Sequence, residues 1–217
     1  MIDLVIFDCD GVLVDSEVVS NRVYAEYLTA QGFPHSAQEC NAKYLGMSDV
    51  HVQKLFEDSG RSLPDTFLSD INIVINDELS KSLEPIQGVE TILKSIDIPY
   101  CVASSGTPTK IRNSLTKTGL ITYFDGNLFS FDQVENGKPA PDLFLFAAYQ
   151  MGVDPASTIV VEDSKAGVMA GVLAGMIVVG FTGGSHIPMG HAESLLDLGA
   201  HYILTDMRKL KNLLASF

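Results

Sequence analysis

Two aspartates, Asp8 and Asp10, stand two apart in the stretch Phe7-Asp8-Cys9-Asp10-Gly11-Val12-Leu13-Val14-Asp15-Ser16-Glu17. Side chains at that spacing on an extended chain point the same way, so both carboxylates can share one face while Cys9 turns from it. Carboxylates this close repel, and the pair is tolerable mainly when a cation or a shared proton neutralises it. Gly11 lets the backbone turn sharply beside them. By itself the DxD pair reads equally well as a strand-end turn with solvated aspartates. In Ser104-Ser105-Gly106-Thr107-Pro108, Thr107 is a good N-cap and Pro108 a good first helical residue. Free N–H groups and a positive helix end there suit phosphate oxygens, with the Ser104 hydroxyl as a further donor. Ordinary capping accounts for Thr107 and Pro108 and leaves Ser104 unexplained. Lys138, in Gly137-Lys138-Pro139-Ala140-Pro141-Asp142, is a cation in a loop stiffened by two prolines. It is either a solvated surface lysine or a fixed charge against phosphate or a repelling carboxylate pair. Glu162 and Asp163 are an acidic pair that a helix dipole alone would favour. If Asp163 faces Asp8, the oxygen-only donor set suits a hard divalent cation, Mg2+ first.

These residues need elements that bring them together. Leu4 to Phe7 has the length and apolar character of a buried strand, which delivers Asp8 to the carboxyl edge of a parallel sheet. Tyr100 to Ala103, Leu128 to Ser130, Thr158 to Val161, Met176 to Phe181 and Tyr202 to Leu204 read as further short strands alternating with helical periodicity. That alternation predicts an α/β fold, a Rossmann-like parallel sheet with right-handed crossovers. Residues 16 to 84 differ. Val18, Val19, Val23, Tyr24, Tyr27 and Leu28 recur at helical spacing before Gly32, Val50 to Phe56 and Phe67 to Leu83 read as helices, and no strand pattern occurs. The expected organisation is a core of residues 1–15 and 85–217 with an all-helical cap inserted at 16–84.

Composition bounds the partners. At 217 residues, 46% of them hydrophobic, the chain suits one main domain carrying an insertion. Fourteen basic against 27 acidic residues give a net charge of −13, a field that repels nucleic acid and anionic lipid. A small anionic substrate must then be held by local cations. Three scattered cysteines, Cys9, Cys40 and Cys101, suggest neither a disulfide framework nor a zinc site. With no basic leader pattern and no apolar run near the ~18 residues of a membrane span, a cytoplasmic protein is expected.

The string DxDGVLVDSE, the strand-end Ser104, Lys138 in GKPAPD and Glu162-Asp163 in VVEDS, in this order and spacing, resemble the haloacid dehalogenase superfamily. The resemblance covers nearly the whole chain and is closer to the helical-cap subgroup that includes β-phosphoglucomutase-like and phosphogluconate-phosphatase-like proteins. It implies that Asp8 is the nucleophile, forming an aspartyl phosphate. It makes Asp10 the acid and base, also offering its carbonyl to Mg2+. Mg2+ would lie between Asp8, Asp163 and the phosphate, with Glu162 a direct or water-mediated ligand. Ser104 and the N–H groups of Ser105 and Gly106 would hold the phosphate oxygens, and Lys138 would balance the charge. Each well-placed donor is worth roughly 3 to 4 kcal/mol of transition-state stabilisation. The acid at Asp10 speaks against the dehalogenase branch, and the lack of a lysine between Gly46 and Gln53 against the phosphonate-cleaving branch. β-Phosphoglucomutase carries an arginine where this chain has Asp49, which favours a phosphatase for a singly phosphorylated, hydroxyl-rich metabolite such as a sugar or sugar-acid phosphate. Gly46, Ser48 and Asp49 are the expected substrate-facing cap residues. A phosphosugar mutase and a non-catalytic metabolite-binding protein are the alternatives.

His186 and His191 flank Pro188 and Gly190, which spoils helical ligand spacing, and neither is expected to bind a metal ion or to be functional. His35, His51 and His201 read as surface or packing residues. Thr182-Gly183-Gly184-Ser185 reads as a site rim and lacks the GxGxxG spacing of a nucleotide loop.

Overall fold

The computed structural model describes residues 1–217 apart from Gly46 and Asp125. The chain runs β1 (Leu4–Phe7), α1 (Glu17–Ala30), α2 (Ala37–Tyr44), α3 (Asp49–Asp58), α4 (Phe67–Ser82), α5 (Val89–Leu93), β2 (Tyr100–Ser104), α6 (Pro108–Lys117), α7 (Ile121–Phe124) and β3 (Leu128–Ser130). It continues through α8 (Asp142–Met151), β4 (Thr158–Glu162), α9 (Lys165–Leu173), β5 (Ile177–Phe181), α10 (His191–Asp197), β6 (Tyr202–Leu204) and α11 (Leu210–Leu214). The six strands form one sheet in the order β3-β2-β1-β4-β5-β6, every neighbouring pair parallel. This is an α/β Rossmann-like core, and β1 lies inside it, between β2 and β4. No described helix is long and apolar enough to cross a membrane.

Helices cover both faces of the sheet, so β1 has no solvent side and its four residues are fully buried. The strand's two-residue period sends Leu4 and Ile6 into one layer with Cys101, Ala103 and Val160. Val5 and Phe7 enter the other with Val102, Ile159 and Val161. Removing an aliphatic side chain from either layer costs about 2–5 kcal/mol. Between Glu17 and Ser82, among the described residues, the chain is helical without a strand. The two segments joining this block to the sheet run side by side: Asp15 N–H donates to Glu84 O at 3.0 Å and Ile86 N–H to Leu13 O at 2.9 Å. Helix α2 has weak apolar periodicity and only Cys40 buried; a reciprocal Ser36–Glu39 capping box starts it.

Candidate active site

β1, β2 and β4 end at the same edge of the sheet, and that edge collects Asp8, Ser104, Glu162 and Asp163. Lys138 arrives from the loop before α8 with its side chain 1% exposed. Its Nζ donates to Asp8 Oδ1 at 2.7 Å, to Glu162 Oε1 at 2.8 Å and to the Ala103 carbonyl at 3.0 Å. Glu162 Oε2 accepts from the Ser164 N–H at 2.6 Å and its hydroxyl at 2.9 Å. Both Glu162 oxygens therefore accept hydrogen bonds within the protein, and one of them anchors Lys138. Gly167 makes room for this arrangement, because a Cβ there would collide with the Glu162 carboxylate. Carboxylate oxygens of Asp8, Glu162 and Asp163 lie within 4.8 Å of one another, all three residues buried. Burial and the neighbouring carboxylates push the Asp8 and Asp163 carboxyls well above the ordinary range, although Lys138 pulls both down. One ammonium among three buried carboxylates leaves the corner short of positive charge. An all-oxygen set in that condition fits a hard divalent cation.

Asp10 occupies the same cavity with different partners. Its carboxylate accepts from the Ser16 hydroxyl and, at 3.0 Å, from Lys110 Nζ. Burial would raise it, but Lys110 and Ser16 outweigh burial and hold it below the usual carboxylate value. Lys110 stays charged for the complementary reason, with Asp10, Asp49 and Glu17 overcoming its desolvation. Glu17 is pushed up to about 8 by burial and by Asp10. Cys9 turns away into the core, 1% exposed. Gly11 adopts φ +77°, and a Cβ there would collide with the Asp163 carboxylate and the His186 ring.

The Ser104 loop faces this corner with one difference from expectation. Gly106 N–H is not free: it donates to Ser104 Oγ at 3.0 Å. The hydroxyl thus spends a lone pair inside the loop and keeps its O–H for an oxygen in the cavity. Thr107 caps α6 as expected, accepting from Lys110 N–H at 3.3 Å. His186 and His191, not expected to be functional, both contact Asp163. His186 Nε2 meets Asp163 Oδ2 at 2.7 Å and His191 Nε2 meets the Asp163 carbonyl at 2.6 Å. Burial holds both imidazoles below the usual histidine range, and the contact from His186 Nε2 orients the Asp163 carboxyl. The His186 Nδ1 is buried without a hydrogen-bond partner among the described residues.

Above the sheet edge, a cavity of about 190 Å3 runs from Asp8, Ser104, Ser105, Gly106 and Lys138 to the helical block. There it meets Ser48 and Asp49, while Gly46 falls outside the described residues. Ser48 Oγ caps α3, accepting from His51 N–H at 3.3 Å. Asp49 accepts from the Tyr24 hydroxyl and, at 3.0 Å, from Asn72 Nδ2. Lys110, Glu17 and Asn21 also line the cavity. None of the three was identified from sequence. Lys110 carries one usable signal, its place in the first turn of the helix that opens directly after the Ser104 loop.

A parallel α/β sheet that delivers a lysine-paired aspartate, a second acid and a metal-ready acidic pair to one edge, beneath a cavity, defines a hydrolase of the phosphoryl-transfer kind. Residues 5–181 match the haloacid dehalogenase-like hydrolases, and the chain belongs to that family. It is a hydrolase of the phosphatase type. The 6-phosphogluconate phosphatase of Escherichia coli is 33% identical over 190 residues, covering 85% of each chain. A conserved haloacid dehalogenase-like protein from Agrobacterium tumefaciens superposes with a TM-score of 0.86 at 35% identity, covering 100% of this chain and 99% of that one. A family hydrolase from Deinococcus radiodurans, solved with bound phosphate and sodium, superposes with a TM-score of 0.78 at 29% identity over 99% of this chain and 96% of that one.

Proposed function

We propose that the protein is a Mg2+-dependent phosphatase of a small, singly phosphorylated sugar or sugar-acid metabolite, with residues 16–84 acting as a cap over a core of 1–15 and 85–217. The observation that carries the reading is Asp8: its carboxylate is held at 2.7 Å by a buried lysine and lies within 4.8 Å of Asp163. Asp8 attacks phosphorus, the bond to the leaving oxygen breaks, and an aspartyl phosphate results. Asp10 gives a proton to that oxygen and afterwards takes one from the water that cleaves the acyl phosphate. Lys110 and Ser16 keep Asp10 ionised in this state, which suits the second step. The first requires it to gain a proton as the anionic phosphate arrives and offsets Lys110. Lys138 holds Asp8 and balances its charge, and the Ser104 hydroxyl donates to a phosphate oxygen. Asp8, Asp163 and the Asp10 carbonyl are the residues to hold Mg2+, which when bound neutralises charge on the phosphate.

Two things support the choice of substrate. The Escherichia coli relative acts on a sugar-acid phosphate. Asp49, an acid on the far wall, opposes a second phosphate there, which favours hydrolysis over a mutase cycle through a bisphosphate. The test is a screen of phosphorylated metabolites scored by released phosphate, with Mg2+ and with EDTA. Metal-dependent release from one or more sugar phosphates is expected. Folded protein that binds sugar phosphates without turnover would overturn the reading, and isomerisation of a hexose 1-phosphate without phosphate release would establish the mutase instead.

A further inference from the structure

Helix α1 sends Val23, Ala25 and Leu28 into the apolar core, and the side it turns to the cavity is polar. Glu17, Ser20, Asn21 and Tyr24 follow the i, i+3, i+4, i+7 rule for one helix face, and all four line the cavity. Ser20, Asn21 and Tyr24 are 7%, 6% and 7% exposed. Two of these buried groups are accounted for within the protein. The Tyr24 hydroxyl donates to Asp49. Asn21 Nδ2 donates to Asn41 Oδ1 at 3.1 Å, and Asn41 in turn donates to the His186 carbonyl at 2.9 Å, which fixes α1 relative to the loop behind Asp163. Ser20 has no such explanation. Among the described residues its buried Oγ has no hydrogen-bond partner, although the carbonyl of Ser16, one turn back, already accepts the Ser20 N–H at 3.0 Å and would be the usual place for the hydroxyl to turn.

A buried hydroxyl left unpaired is destabilising, so a partner supplied by a ligand is the economical explanation for its presence on a cavity wall. We propose that Ser20, flanked by Glu17 and Asn21, reads a hydroxyl group on the carbon chain attached to the phosphate, so that the preferred substrates are polyhydroxylated monophosphates. This rests on the phosphatase reading above and adds to it the residues that select the organic part. The chemistry is a neutral hydroxyl that donates to or accepts from an alcohol, between a carboxyl and an amide able to hydrogen-bond hydroxyls on the neighbouring carbons. A phosphate ester without hydroxyls leaves the Ser20 hydroxyl unpaired and is disfavoured for that reason.

The test compares the full chain with its Ser20→Ala and Glu17→Gln variants, in Mg2+, on sorbitol 6-phosphate and on p-nitrophenyl phosphate, which has no hydroxyl on its organic part. The unaltered protein should prefer sorbitol 6-phosphate. Ser20→Ala should lower the ratio of kcat/KM values, sorbitol 6-phosphate over p-nitrophenyl phosphate, by about five- to ten-fold, with the loss in KM. Glu17→Gln, which preserves shape, should lower the same ratio. An unchanged ratio in Ser20→Ala, a loss equal on both substrates, or an unaltered enzyme with no preference for the hydroxylated ester would overturn the inference while leaving the phosphatase reading intact. If neither ester were cleaved, the phosphatase reading would fall on its own. Calorimetric binding of sorbitol 6-phosphate to an Asp8→Asn background would still decide the role of Ser20: weaker binding on adding Ser20→Ala supports it, and equal binding refutes it.

Discussion

Replacing Lys138 by methionine keeps the length of the side chain and removes the one ammonium in contact with both Asp8 and Glu162. Those contacts are 2.7 and 2.8 Å, and the lysine side chain is 1% exposed against 9% and 1% for its partners, so solvent offers little compensation. Stripping one partner from a buried ion pair costs about 3–5 kcal/mol, because the other charge is left in a medium that cannot solvate it. For a chain of this size, at ~2–4 °C per kcal/mol, Tm near neutral pH in EDTA should fall by roughly 6–20 °C. The sign of the pH dependence follows from the carboxylates. Without the lysine, Asp8 has a folded pKa raised further above its unfolded one, as burial already raises it. Groups raised in the folded state contribute their full stability below the unfolded pKa and lose it as pH rises through the folded pKa. The deficit of Lys138→Met should therefore be largest near neutral pH and shrink as pH falls toward about 4, where both forms are protonated. Mg2+ should restore part of the lost Tm, and more of it in the variant than in the unaltered protein, because it binds the folded state alone. Calorimetry across pH, in EDTA and in Mg2+, reads all of this. A deficit of the same size at every pH, or none at all, would refute the reasoning about buried charge.

Asp8→Asn should fold and abolish turnover, as an amide of the same shape is no nucleophile; phosphate release at even a hundredth of the original rate would count against it. Lys110→Met removes the cation that depresses Asp10, so Asp10 ionises at higher pH and the alkaline limb of the kcat/KM profile, set by Asp10 as the general acid, should move up by about one unit, an unmoved limb speaking against the pairing. Gly167→Ala places a methyl where the Glu162 carboxylate sits, and displacing that carboxylate from Lys138 should cost about 2 kcal/mol or more by denaturant titration. His186→Phe fills the ring's place without its hydrogen bond to Asp163 and should weaken divalent-cation binding by about 10- to 100-fold, measured by calorimetry rather than by turnover.

Much of the sheet was readable because its strands are short apolar runs that match buried positions almost residue for residue; Leu128–Ser130 and Tyr202–Leu204 coincide with the expected ranges, and β4 and β2 each extend one residue further. Met176, read as strand, precedes β5, where Gly175 at φ +72° has just closed α9. α2 was not read, because a helix that buries only Cys40 leaves no periodicity to find, although its Ser36–Glu39 capping box was in plain view. Asp8, Lys138, Glu162 and Asp163 were legible for a positional reason: each ends a strand or sits in a proline-stiffened loop, places that a parallel sheet brings together. Lys110 and His186 act on Asp10 and Asp163 from 100 and 23 residues away, and no local spacing records such contacts. The tertiary role of the Ser104 hydroxyl was likewise hidden, since only coordinates reveal that Gly106 N–H is turned back onto it.

Chemical trapping on the Asp10→Asn variant tests the central claim most directly. Lacking the base that activates water, that variant should accumulate phosphoryl enzyme when mixed with p-nitrophenyl phosphate and Mg2+, and acid quenching followed by peptide mass spectrometry should place the phosphoryl group on Asp8. A phosphoryl group found on another residue, or a burst of p-nitrophenol with no phosphorylated peptide, would contradict it.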